Sequence, residues 1–128
     1  MHIEHVALNV EDPDAMAQWY VANLGMRIAR HVGGPARTCF LADTGDQTLI
    51  EIYHNAAAAV PDYRAMDPLL LHVAFAVDDI QAARAGLIAA GASPHGEIGT
   101  TPAGDQLAML RDPWGLAVQL AKRAKPLV

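Results

Sequence analysis

The stretch "LLLHVAFAVDD", residues 69–79, reads as a buried strand with a histidine, His72, set among aliphatic and aromatic side chains. The chain opens on nearly the same phrase, "IEHVALNVED" at residues 3–12, where His5 is likewise followed by Val-Ala. Two matching strands with a polar residue at the same place predict an internal repeat.

Working outward from the two strands, the same order of elements follows each. After a strand at about 2–10, Asp12 and Pro13 form a helix start, with a side-chain acceptor at the cap and a preset φ at the first helical position. Met16, Trp19, Tyr20 and Leu24 recur at helical spacing, which assigns Trp19 to the core, and Gly25 supplies the stop. Short strands near 26–32, 37–43 and 47–54 follow, separated by "GGP" and "DTGD" turns. In the second half the strand at 69–77 leads to a helix capped by Asp78 or Asp79. Its apolar face is Ile80, Ala83, Leu87 and Ile88, and Gly91 closes it. Strands near 96–100 and 106–111, the turn "DPWG" (112–115) and a last strand "LAVQLA" complete it. The expectation is an α+β chain of tandem β-α-β-β-β modules: 1–54, a linker at 55–68 with some helical turns, 69–122, and a solvated tail at 123–128.

Register supports the duplication. Glu51 follows His5 by 46 residues, and Gln119 follows His72 by 47, so two polar residues occupy equivalent places in the two final strands. Strand alternation puts Val6, Leu8 and Val10 on one face and His5, Ala7 and Asn9 on the other. It likewise separates Leu71, Val73, Phe75 and Val77 from His72, Ala74 and Ala76, and Val118 and Leu120 from Ala117, Gln119 and Ala121. The bulky faces are expected under the helices. The small residues beside His5, His72 and Gln119 leave room for a cavity or a close sheet-to-sheet approach.

A lone histidine in an apolar strand is most often a hydrogen-bonded core residue. Two equivalent histidines with an equivalent carboxylate and amide are harder to explain that way. A buried Glu51 carries a large desolvation cost that a cation removes. Two imidazoles, a carboxylate and an amide oxygen suit one divalent ion: Zn²⁺, Ni²⁺, Co²⁺, Mn²⁺ or Fe²⁺.

Composition narrows the remaining classes. The 128 residues are 52% hydrophobic and 18% charged, with net charge −5, so nucleic acid is not an expected partner. The single cysteine, Cys39, sits in "TCFLA" and reads as an inert packed thiol in a reducing compartment. Neither a signal peptide nor a membrane-spanning run is readable, and the expected location is the cytoplasm. His2, His31, His54 and His95 have no matching partners and read as surface or structural residues.

The tandem modules together with "HVALNVEDP", "WYVANLGM", "LIEIY", "LHVAFAVDD" and "DPWGLAVQL" resemble the vicinal oxygen chelate superfamily, which includes glyoxalase I, bleomycin resistance proteins and extradiol dioxygenases. The resemblance covers almost the whole chain. It implies two modules whose mixed sheets curl into a cup around a metal, with His5, Glu51, His72 and Gln119 at the four ligand positions and open sites for two neighbouring substrate oxygens. It also allows the modules to pair within one chain or across two, and a homodimer is the expectation.

Gln119 departs from the family's usual glutamate. An amide is no base near neutral pH and brings no charge, so the site would carry one carboxylate and a formal +1. Any catalytic base is then Glu51, a metal-bound hydroxide or the substrate itself. Tyr53, on Glu51's face, and Arg111, at a strand end, are candidate substrate contacts. Three functions follow from the resemblance: a glyoxalase-type lyase or isomerase acting on a small chelating substrate, an Fe²⁺ ring-cleaving dioxygenase, and a protein that sequesters a small molecule without metal chemistry.

Overall fold

The computed structural model describes residues 1–127, which fall into two compact units, one of Met1–Pro61 and one beginning at Asp62. The first unit runs β1 (His5–Asn9), α1 (Pro13–Leu24), β2 (Arg27–Val32), β3 (Thr38–Ala42) and β4 (Leu49–Tyr53). Its sheet has the order β1-β4-β3-β2, with β1 parallel to β4 and the other pairs antiparallel. The second unit repeats this as β5 (Val73–Ala76), α2 (Ile80–Ala89), β6 (Ser93–Thr100), β7 (Gln106–Arg111) and β8 (Ala117–Lys122), in the order β5-β8-β7-β6. Two mixed four-stranded sheets, each with one helix, make the chain α+β.

The helix starts form as the sequence predicts. The Asp12 carboxylate accepts the Ala15 N–H with Pro13 inside the first turn, and Asp79 accepts the Ala82 N–H. Gly25 closes α1 in the left-handed conformation at φ 66°. Met16, Ala17 and Tyr20 of α1 are buried, as are Leu8, Val10, Leu41 and Ile52 of the sheet. In the second unit Ile80, Leu87, Leu110, Val118 and Leu120 fill the same role.

Several expectations need correction. The strand at 69–77 starts late. The Leu69 N–H is held by the Asp67 carboxylate and the Leu70 N–H by the Asp67 carbonyl, so "LLL" is spent in a turn. Leu69 and Leu70 are consequently exposed, and His72 immediately precedes β5 rather than lying inside it. Trp19 is only half-buried, its ring 5.7 Å from that of Tyr20, because the inward stripe of α1 is centred on Met16, Ala17 and Tyr20. Val6 is exposed although Leu8 and Val10 on its face are buried. Residues 55–68 hold turns and no regular helix. Arg123, at the head of the tail, is bound to the Asp105 carboxylate at 2.8 Å rather than free in water.

Candidate metal centre

β1 and β4 lie side by side in parallel, with Ala7 opposite Glu51. His5 is two residues before Ala7, so its side chain shares Glu51's face. The structure brings the pair together, with His5 Nε2 3.1 Å from Glu51 Oε2. His5 Nδ1 is bonded to the Glu4 carboxylate. Phe40, opposite Glu51 on β3, flanks the same face, its ring 5.9 Å from the imidazole in an edge-on arrangement. Tyr53 lies half-buried at the end of β4 on Glu51's face.

The second unit repeats this register. Ala74, two residues after His72, lies opposite Gln119 on the parallel neighbour β8, and Met109 on β7 lies opposite Gln119 as Phe40 does Glu51. His72 Nδ1 is 2.8 Å from the Pro68 carbonyl oxygen, which assigns a proton to Nδ1 and, in the neutral imidazole, the lone pair to Nε2. A cavity of about 770 Å³ touches this face at Ala74, Ala76 and Ala121, but it extends past the end of β5 to Asp79 and Ala83 of α2, and neither His72 nor Gln119 lines it.

These donors fit a divalent ion. A metal-binding histidine ordinarily spends its second nitrogen on a carboxylate or carbonyl, which fixes its tautomer and orientation. Glu4 serves His5 in that way, and the Pro68 carbonyl serves His72. A separation of 3.1 Å between His5 Nε2 and Glu51 Oε2 is also compatible with two neighbouring ligands of one octahedral ion, since bonds of about 2.0–2.2 Å at right angles set donors roughly 3 Å apart. Without the ion, a proton on Nε2 occupies that place. The Glu4 hydrogen bond raises the His5 pKa above 6.5 against the lowering effect of desolvation, and the charges of Glu4 and Glu51 add to the rise. The Glu51 side chain keeps 19% exposure, so pairing with His5 argues for a cation more strongly than its burial does.

Arg111 is placed differently from a free anion-binding group. Its Nη1 donates to the Tyr63 and Gly115 carbonyls and its Nη2 to the Met66 carbonyl, at 2.8, 3.0 and 2.8 Å. The guanidinium thereby clamps the segment before β5 to the turn before β8.

One cluster escapes the sequence reading. Asp14, His31 and Cys39 bring a carboxylate oxygen, an imidazole nitrogen and a sulfur within 4.8 Å of one another. The signal was available: the "GGP" turn makes β2 and β3 a hairpin, and a hairpin sets His31 directly across from Cys39. Periodicity alone does not show that the first turn of α1 lays Asp14 over that pair.

Comparison with known proteins agrees with this architecture. A family model described as the Glyoxalase/Bleomycin resistance protein/Dioxygenase superfamily matches residues 2–120. Comparison with curated proteins finds no match. Among solved structures, TnmS3, an antibiotic binding protein from Streptomyces sp. CB03234, is 23% identical with a TM-score of 0.75, and the match covers 97% of each chain. A glyoxalase family protein from Bacillus cereus is 20% identical at TM-score 0.78, covering 95% of this chain and 93% of the other. A glyoxalase I mutant from Zea mays is 23% identical at TM-score 0.76, over 97% of this chain but 46% of its own. With the family match spanning nearly its whole length, the chain belongs to the Glyoxalase/Bleomycin resistance protein/Dioxygenase superfamily.

Proposed function

We propose that the chain is a divalent-metal-dependent enzyme of glyoxalase type, a lyase or isomerase in which His5, Glu51, His72 and Gln119 hold one ion. The observation that carries this reading is that both histidines have Nδ1 tied to an oxygen, by Glu4 and by Pro68, which makes Nε2 the nitrogen for a metal, and in His5 that nitrogen faces Glu51. The ion, when bound, supplies a Lewis acid that polarises a chelated substrate carbonyl. Glu51 is the only carboxylate in the set. Its Oε2 faces His5, and its second oxygen, Oε1, is the acceptor for the proton on the carbon beside that carbonyl. Glu51 then returns the proton to the former carbonyl carbon while the hydroxyl proton passes to that carbon's oxygen, which completes an isomerisation without any redox partner. Tyr53 lines the same face. Gln119 contributes an oxygen donor and no charge, which favours an anionic, enolate-like substrate.

We further propose a cytoplasmic homodimer, in which His5 and Glu51 of one chain meet His72 and Gln119 of its partner. Light scattering at micromolar concentration should return twice the chain mass, and a monomer would contradict the pairing.

The catalytic reading is tested with hemithioacetals of 2-oxoaldehydes and thiols. Glu51→Gln should abolish turnover, and Gln119→Glu should raise it, since a positioned base contributes roughly 10²–10⁴-fold. A second reading, sequestration of a small molecule without chemistry, is favoured by the missing carboxylate at Gln119 and by the likeness to an antibiotic binding protein. It takes over if the metal binds and neither wild type nor Gln119→Glu turns over any such adduct.

A further inference from the structure

Asp14, His31 and Cys39 belong to three different elements, and none is among the residues assigned to the centre above. His31 and Cys39 are opposite one another on β2 and β3, so their side chains leave the sheet on one face. Asp14 reaches them from the first turn of α1. Its Oδ1 is 3.1 Å from His31 Nε2 and 4.0 Å from Cys39 Sγ. The other oxygen, Oδ2, faces Arg37 Nη1 at 3.6 Å, and Arg37 also binds Asp12. The carboxylate is therefore oriented from behind, with Oδ1 turned towards the thiol and the imidazole.

From this geometry we infer a second metal site, in which Asp14 Oδ1, His31 Nε2 and Cys39 Sγ take a single Zn²⁺-like ion with one position left to water. A tetrahedral ion with bonds of about 2.0–2.3 Å holds its donors roughly 3.3–3.6 Å apart; the two distances from Asp14 Oδ1, 3.1 and 4.0 Å, bracket that spacing, and the imidazole nitrogen and the sulfur lie within 4.8 Å of each other. Small side-chain rotations would equalise them. The donor types select the ion: thiolate and imidazole suit Zn²⁺, Co²⁺ and similar ions and not Mg²⁺ or Ca²⁺. Burial and access are divided among the ligands as such a site requires. Cys39 is 1% exposed, whereas the His31 and Asp14 side chains keep 49% and 41% exposure, so the ion enters from the solvent side and the sulfur closes the inner side. An ion pair between an exposed aspartate and histidine contributes little on its own and needs no thiol beneath it. Binding displaces the thiol proton to solvent, and the two anionic ligands neutralise the ion.

Because Cys39 is the chain's only cysteine and the proposed four-ligand centre contains no sulfur, the two sites can be told apart. Co²⁺ titrated into the full chain should produce a near-ultraviolet sulfur-to-cobalt charge-transfer band. Cys39→Ser should remove it. His31→Gln, a change at a half-exposed side chain, should weaken the Co²⁺ affinity read from that band by at least tenfold, and Asp14→Asn should do the same. Zn²⁺ should bleach the band in wild type within two equivalents, one for each site. Saturation with Co²⁺ without any sulfur band would overturn the inference. So would a band of undiminished affinity in both His31→Gln and Asp14→Asn, which would mean that the thiol binds cobalt alone.

Discussion

His5 is set between two carboxylates, Glu4 at Nδ1 and Glu51 at Nε2, and the first of these dominates its titration. In the metal-free protein its NMR titration midpoint should lie above 6.5, and Glu4→Gln should lower that midpoint more than Glu51→Gln does. An unchanged midpoint in Glu4→Gln would show that Glu4 does not orient the ring. The sign for stability follows: a histidine with a raised folded-state pKa contributes stability that is complete below pH 6.5 and lost as pH rises through the folded value. Burial has the leading effect on Cys39, pushing its thiol pKa up, so the metal-free protein should alkylate slowly at neutral pH. At this scale the sequence shows which residues matter but not how they are turned. The matched positions of His5, His72, Glu51 and Gln119 are legible because duplication makes chance unlikely. The tie of His72 to the Pro68 carbonyl is not legible, because it depends on a turn that the apolar run "LLL" conceals. The cluster of Asp14, His31 and Cys39 is half legible, since hairpin pairing follows from the turn but the approach of a helix does not.

Among the elements, both helices and all eight strands form in the order that hydrophobic alternation and caps predict, although β5 begins four residues later and β6 three residues earlier than expected, and two of the misses share one cause. A local side-chain bond outbids periodicity: Asp67 captures the backbone of Leu69, and Asp105 captures the tail that charge alone marks as solvated. Asp105, just before β7, accepts the Ala124 N–H and an Arg123 guanidinium N–H, in that order of effect, and its pKa falls below 3.8. A carboxylate with a lowered folded-state pKa contributes stability that is present above 3.8 and lost as pH falls through the folded value. Asp105→Asn should therefore flatten the acid side of the pH–stability curve and speed amide exchange at Ala124; unchanged exchange there would contradict the anchoring. The turn before β8 carries a steric prediction. Gly115 has φ 95°, and a Cβ there would lie 2.8 Å from both the backbone nitrogen and the Cβ of Arg64. Gly115→Ala should cost about 2–4 kcal/mol in urea unfolding, from a left-handed backbone plus overpacking against main chain. A loss under about 0.5 kcal/mol, the range of a neutral surface change, would show that the segment at Arg64 yields freely.

At the scale of the molecule, the repeated unit accounts for the site. Each β-α-β-β-β unit sets a histidine two residues before the alanine that pairs with a polar residue on its parallel neighbour: Ala7 with Glu51, Ala74 with Gln119. One unit offers an imidazole and a carboxylate, the other an imidazole and an amide, and neither donor pair alone is a complete site for a divalent ion. If the four residues hold one ion as proposed, each half needs the other for metal binding, and this is the account's central claim. The most direct test is equilibrium Ni²⁺ binding to a Cys39→Ser protein, which has no sulfur ligand to add a second ion. The account predicts one ion per chain, with affinity lowered at least 100-fold by His5→Ala and equally by His72→Ala, beyond the roughly 10–100-fold that losing an orienting partner costs. Affinity that survives the loss of either histidine would contradict it, because the ion would then belong to one unit alone.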